Sequence, residues 1–509
     1  MKIRLVILAL VGIWLSVAGI SRAAVRITDA YLDLNRIHKW DDCNGDTWDP
    51  FWADDDNLYA FNCDGRGFGS KPRNLAFNRL AGDQPDALVG AMINTMDEYG
   101  VGEQKGPDGA TWKALGQECI DSVFYCFVSR QTYGSDSKDL LIRQTAANAS
   151  LIKSTDHGIT WSRSAAENYA HPMWPGRRFG APYFIHYGKN GGSVGQDGAD
   201  HFVYAISNNG FWNDGDDVIL ARIDRKKLPN LDPLDWTWFT GGDGGNDSSW
   251  SSKISDARPI FSSPAKCGTT SPCYVPALGV YVMVVWYNPQ ILSGWFNPSR
   301  MNYDFYQAEH PWGPWTFISS CTDQFIVGNS HWYGPTLCPK FQRTIDGGAE
   351  ICLFNAGCPF DDVPASIYKA WEIPLVLKTT PAMARALVND DDPRIRYTGN
   401  WTNSKGRPFS DYSGDVHFTT TPGDAAEFTF TGNGVEYLTE KYHDEGKVNV
   451  YLDGKFAETV NPNMQNFPRL CQITVYRSPT LADGVHTLRI VNMSGHYALV
   501  DAFRVLERR

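Results

Sequence analysis

One local pattern returns five times along this chain. A turn leads into a short run with an aromatic or apolar centre, and the run ends in small polar residues. The copies are NLYAFNCDG around Tyr59, SVFYCFVSR around Tyr125, HFVYAISNN around Tyr204, GVYVMVVWYN around Tyr281 and AEICLFNAG around Cys352, about 66 to 79 residues apart. Short runs rich in aromatic and β-branched residues, bounded by turn residues, read as strands. A unit of this length holds four short strands and their loops, and such units close into a ring. The pattern predicts an all-β chain whose residues 25–378 form a five-bladed β-propeller.

The first copy belongs to a dense stretch, GDTWDPFWADDDNLYAFNCDGRGFG, from Gly45 to Gly69. Pro50 keeps Trp48 to Trp52 out of a helix. Asp54 to Asn57 read as a turn, because short Asx side chains hydrogen-bond their own backbone. Leu58 to Asn62 is a strand that Asp64-Gly65 closes. The two arms of such a hairpin bring Asp46 and Asp49, at its start, to the same sheet edge as Asp64, at its end.

Beyond residue 392 the alternation is clear at Ala426 to Phe430, Val435 to Thr439, Lys447 to Leu452 and Thr487 to Val491, with Asp453-Gly454 as a hairpin turn. Residues 393–509 read as a β-sandwich of the jelly-roll kind, carbohydrate-binding-like, after a polar linker at 379–392. Residues 80–100 and 381–388 each have room for a short helix, and Gly241 to Ser252 is loop.

The chain begins MKIRLVILALVGIWLSVAGISRAA. Basic residues, an apolar run and a small-x-small site make 1–23 a secretory signal peptide, so the mature protein is expected to be secreted, with no membrane span. Net charge is −11 without basic runs, which argues against nucleic acid. Export makes close cysteine spacings read as disulfides: Cys119/Cys126, Cys267/Cys273 and Cys352/Cys358, with Cys43/Cys63 and Cys321/Cys338 as further pairs and Cys471 left over. No zinc spacing appears, and Asp54 to Asp56 lack the rest of an EF-hand, so neither metal nor cofactor is expected. The partner expected is a polysaccharide, met by a monomer.

Two motifs carry resemblances. Ser154-Thr155-Asp156-His157-Gly158-Ile159-Thr160-Trp161 matches the S-x-D-x-G-x-T-W "Asp box" of sialidase-like propellers, a structural hairpin that implies no catalytic role for Asp156. With GDTWDPFWADDDNLY, GAPYFI and WGPW, it makes residues 25–378 resemble a five-bladed propeller glycoside hydrolase family, long labelled a domain of unknown function, that includes bacterial endo-D-arabinanases. The resemblance implies hydrolysis of a polysaccharide, an arabinan or related furanoside among the choices, by acids in the funnel. It sets the family's early acids on Asp46 and Asp64.

Glycoside hydrolysis needs one acid to protonate the leaving oxygen and one carboxylate to activate water or attack carbon. Asp46 and Asp64 are the catalytic candidates. Asp49, Trp48, Arg178, His331 and Tyr333 are substrate-binding candidates, each with a plainer alternative: core packing for Trp48, a surface ion pair for Arg178, a structural hydrogen bond for His331. A polysaccharide lyase, using Tyr333 or His331 as base, and a non-catalytic glycan-binding protein remain the competing readings. No G-x-S-x-G elbow supports serine chemistry.

Overall fold

The computed structural model describes residues 25–134, 143–192, 201–287, 301–321, 332–357, 368–379, 383–409, 411–465 and 469–508. The leader expected at 1–23 lies outside the described residues, as do His331 and Cys358.

Five antiparallel sheets follow one another, each a propeller blade. The first is built from Asn44–Asp46, Leu58–Gly67, Arg73–Ala81 and Val89–Asn94, with Phe51–Trp52 also on its second strand. The second has Thr111–Ile120, Val123–Thr132 and Thr145–Ser154. The third starts at Ala181–Phe184, Phe202–Asn208 and Gly215–Asp224 and is extended by Trp236–Phe239 and Pro259–Cys267. The fourth has Cys273–Val275, Val280–Tyr287, Asn302–Ala308 and Thr316–Ser320. In the fifth, Trp332–Ile345, Gly348–Gly357 and Ala370–Lys378 are joined by Asp29–Leu32 from the start of the chain, with Asp29 opposite Lys378. That pairing closes the ring.

Each of the five recurring runs is the second strand of a blade. Second strands are covered on both faces by neighbouring blades, so their apolar runs are unbroken: Val280–Tyr287 is buried throughout. Outermost strands are not covered in this way, and no residue of Thr316–Ser320 is fully buried.

Because the strands are antiparallel, the start of each innermost strand and the end of each second strand share one face of the ring. Asp46 lies opposite Cys63, Lys113 opposite Ser129, Ala181 opposite Asn208 and Tyr333 opposite Ala356. The Asp box lies on the other face, after the third strand of the second blade. Its Asp156 carboxylate accepts from Thr160 N at 2.9 Å and from Ser154 Oγ at 2.8 Å. Trp161 packs between blades, 5.1 Å from the rings of Phe61 and Phe77.

The C-terminal part is a sandwich. One sheet orders Met383–Asn389, Ala502–Arg508, Gly434–Lys441 and Leu470–Arg477; the facing sheet orders Ile395–Thr398, Ala425–Gly432, Gly484–Asn492, Val448–Leu452 and Lys455–Val460. Phe428 stacks on Phe503 at 4.7 Å in the core between them. Asp453 and Gly454 both take positive φ, 49° and 74°, as a two-residue hairpin turn with strand-matching twist requires.

Three expectations need correction. Most of the stretch 379–392 is no linker: Met383–Asn389, MARALVN, is largely apolar and pairs with Ala502–Arg508 as the edge strand of its sheet. The same strand replaces the helix expected at 381–388. Between 80 and 100 the chain forms the end of one strand, a one-turn Pro85–Ala87 segment and the strand Val89–Asn94, since Gly82, Pro85 and Gly90 break a helix.

The ten described cysteines are all buried, and Cys119, Cys126, Cys267 and Cys273 are free thiols. Register explains the pair expected at 119/126: Cys119 lies opposite Phe124, and Cys126 opposite Gln117. Cys352 faces Cys338 across two strands of the fifth blade, a juxtaposition that sequence spacing does not reveal.

Candidate active site

Asp46 ends the short strand Asn44–Asp46, which Thr47 interrupts by taking φ +56°. Asp64 sits within the ten-residue strand Leu58–Gly67, so Asp64-Gly65 is a bulge and not a turn. Asp64 itself has φ +48°, a conformation Asp tolerates better than most side chains. Gly65 is required because the neighbouring backbone passes directly over it: a Cβ there would stand 2.3 Å from Asn44 O. This close crossing brings the two carboxylates together, as the hairpin reading expected.

The blades on either side complete the cluster. From the fifth, the Tyr333 hydroxyl donates to Asp46 Oδ2 at 2.5 Å, and Tyr368 O accepts from Gly45 N and Asn44 Nδ2 at 3.2 and 3.0 Å, holding the short strand. From the second, Lys113 forms an ion pair with Asp64 Oδ2, to which the Tyr133 hydroxyl donates at 2.9 Å. Lys113 Nζ also donates to Tyr133 Oη at 2.7 Å. Asp64 Oδ1 accepts no hydrogen bond among the described residues.

The two acids thus meet different surroundings. Burial, and then the charge of Asp64, push Asp46 up to about 7 against the opposing pull of Lys113, Tyr333 and Tyr368. Burial alone would lower Lys113, but Asp64 and Tyr133 outweigh it and hold the ammonium well above its usual value. Burial raises the Tyr133 phenol far from any useful basicity at neutral pH, with Asp64 adding to it and Lys113 opposing.

Asp49 belongs to a second cluster, on the propeller axis. It is wholly buried, accepting from Gln117 N at 3.0 Å and Ser271 Oγ at 2.9 Å, with His186 Nε2 at 3.3 Å. His186 Nδ1 in turn meets Glu118 Oε2 at 2.7 Å. Burial would pull the imidazolium down, but Glu118 and Asp49 lift it to about 10. One charged histidine between two carboxylates therefore ties four blades together.

The remaining candidates separate. Trp48 is 0 % exposed, its indole donating to Gly45 O at 2.9 Å, so neither ring face is open to a sugar. Arg178 stands before the innermost strand of the third blade and is ion-paired with Asp217 at 2.7 Å. His331 lies outside the described residues. Lys113, Tyr133 and Tyr368 went unread in the sequence. A lysine in the strand TWKALGQECI looks like an exposed face until the fold shows that strand to be buried throughout.

No family model matches the chain. Over 108 residues it is 29 % identical to an A type blood α-D-galactosamine galactosaminidase from Flavonifractor plautii, a match covering 21 % of this chain and 10 % of that protein. The chain thus spans about a tenth of that relative's length. Among solved structures, an exo-β-1,3-galactanase from Phanerochaete chrysosporium is 10 % identical, covers 94 % of this chain and 99 % of its own, and has a TM-score of 0.39. A glycoside hydrolase family 43 arabinoxylan arabinofuranohydrolase from Bacillus subtilis is 11 % identical, with coverage of 92 % and 97 % and a TM-score of 0.33. These likenesses are too distant to lend this chain a residue role.

Proposed function

We propose that the chain is a secreted glycoside hydrolase acting on a polysaccharide, with Asp46 as general acid and Asp64 as the carboxylate that activates water. The observation that carries this reading is the unequal environment of two adjacent acids. Asp46, raised to about 7, keeps a proton to give to the leaving oxygen near neutral pH, while Asp64 is ion-paired with Lys113. Tyr333 orients the acid through its hydrogen bond. Arg178, at the same face, and His331, two residues before Tyr333, are proposed rim contacts for sugar hydroxyls.

The resemblance of GDTWDPFWADDDNLY and its companion motifs supports a furanoside such as arabinan. The names of the distant relatives above widen the choice to galactose-containing glycans. The sandwich is proposed as the part that holds insoluble polymer. Lyase chemistry is the weaker reading: of its two candidate bases, Tyr333 has its hydroxyl engaged as donor to Asp46, and His331 lies outside the described residues.

Incubating the purified protein with a glycan panel that includes arabinogalactan tests the reading. Hydrolysis releases new reducing ends without ultraviolet absorbance. Absorbance from an unsaturated uronate would establish a lyase, and binding without product would establish a glycan-binding protein.

A further inference from the structure

A second cleft, of about 440 Å³, opens where the chain's first segment meets the sandwich. Its walls are Leu470–Arg477 and Lys455–Val460, each the last strand of its sheet, and its roof is the segment 31–36. Asn35 Nδ2 donates to Thr474 O at 2.8 Å across the junction, and the Arg477 guanidinium lies 3.8 Å above the Tyr31 ring. The cleft shares no residue with the Asp46–Asp64 cluster.

Two of its charges lack an ion-pair partner among the described residues, the buried Lys441 and the exposed Glu458. Arg477 and Arg504 both pair with Glu436, and Arg36 pairs with Asp33 and Glu350. Lys441 has no such partner: among the described residues no carboxylate comes within ion-pair distance. Its Nζ has only Asn35 Oδ1, at 3.5 Å. Yet Lys441 is 5 % exposed, and an ammonium taken out of water without a counterion is costly. Burial pulls it down to about 8, with Asp33 acting weakly the other way. Besides Lys441 the cleft is lined by Asn35, Asn461 and Gln472, amides of the kind that hydrogen-bond sugar hydroxyls.

We propose that this cleft is a second glycan site, taking a uronate-bearing saccharide whose carboxylate pairs with Lys441. Of the two unmatched groups only Lys441 is buried away from water, and it calls for one negative charge, which a uronate brings and a phosphate dianion exceeds. Glu458, exposed on the same wall, repels a second carboxylate and orients the first toward Lys441. The volume lies within the range of small-ligand sites. The proposal stands on the cleft itself, and binding is read without turnover, so a failure of hydrolysis leaves it intact.

Calorimetry with galacturonate, galactose and inorganic phosphate tests it on the full chain. Galacturonate should bind and should shield Lys441 from reductive methylation, read by mass spectrometry on the unaltered protein. Lys441→Met should weaken that binding roughly ten- to a hundredfold, the scale of a lost charge-assisted hydrogen bond, and Glu458→Gln should strengthen it. Galactose binding as tightly as galacturonate, phosphate binding in its place, or no protection of Lys441 would each overturn the proposal. Unchanged affinity in a folded Lys441→Met protein would do the same.

Discussion

Asp46 and Asp64 stand side by side on one hairpin edge, and what distinguishes them arrives from other blades. The fifth blade brings Tyr333 to Asp46; the second brings Lys113 and Tyr133 to Asp64. If Asp46 is the acid, activity should fall as pH rises through about 7, where it loses its proton. Lys113 lowers Asp46, so Lys113→Met should move that alkaline limb upward as well as reduce turnover; an unmoved limb would assign it to another group. The two aspartates were legible in the sequence because both lie on one hairpin. Their partners were not, since Lys113 and Tyr333 reach them only through ring closure between strands far apart in the chain.

At the scale of elements, the blades meet through close contacts near the axis. Gly116, on the innermost strand of the second blade, has room for no side chain: a Cβ would stand 2.2 Å from Tyr183 Cα in the third. The Asp49–His186–Glu118 chain crosses the same region. His186→Ala leaves two buried carboxylates facing a hole and should cost about 3–5 kcal/mol, the range for breaking one side of a buried ion pair. Urea unfolding measures this, and a loss below about 1 kcal/mol would mean the network is not structural. Second strands were readable because burial on both faces makes them uniformly apolar. The edge strand Met383–Asn389 was misread because the acidic run at 390–392 directly after it hides a short apolar segment, and the Cys119/Cys126 pair because sequence spacing cannot fix cross-strand register.

For the molecule as a whole, closure depends on Asp29–Leu32 pairing with Ala370–Lys378, so removing residues 25–32 should lower the thermal midpoint by several degrees or more. Stability should also fall as pH rises. Burial raises Asp46 and Glu372 to about 7, and burial with Asp411 raises Asp501 to about 8. Between roughly pH 4, the unfolded value, and those pKa values the folded state binds protons that the unfolded chain has released, so this stability is full below about 4 and lost by about 8. His186, lifted to about 10, adds a loss from about 6.5 upward. Thermal midpoints measured from pH 5 to 9 should decline, and a rise across that interval would contradict the assignment. The central claim is tested most directly by reducing-end release from a polysaccharide that the unaltered protein cuts, compared with Asp46→Asn and Asp64→Asn. Each variant should stay folded and lose at least about a hundredfold in turnover, the usual contribution of a general acid or base. Near-normal turnover by either folded variant would contradict the account.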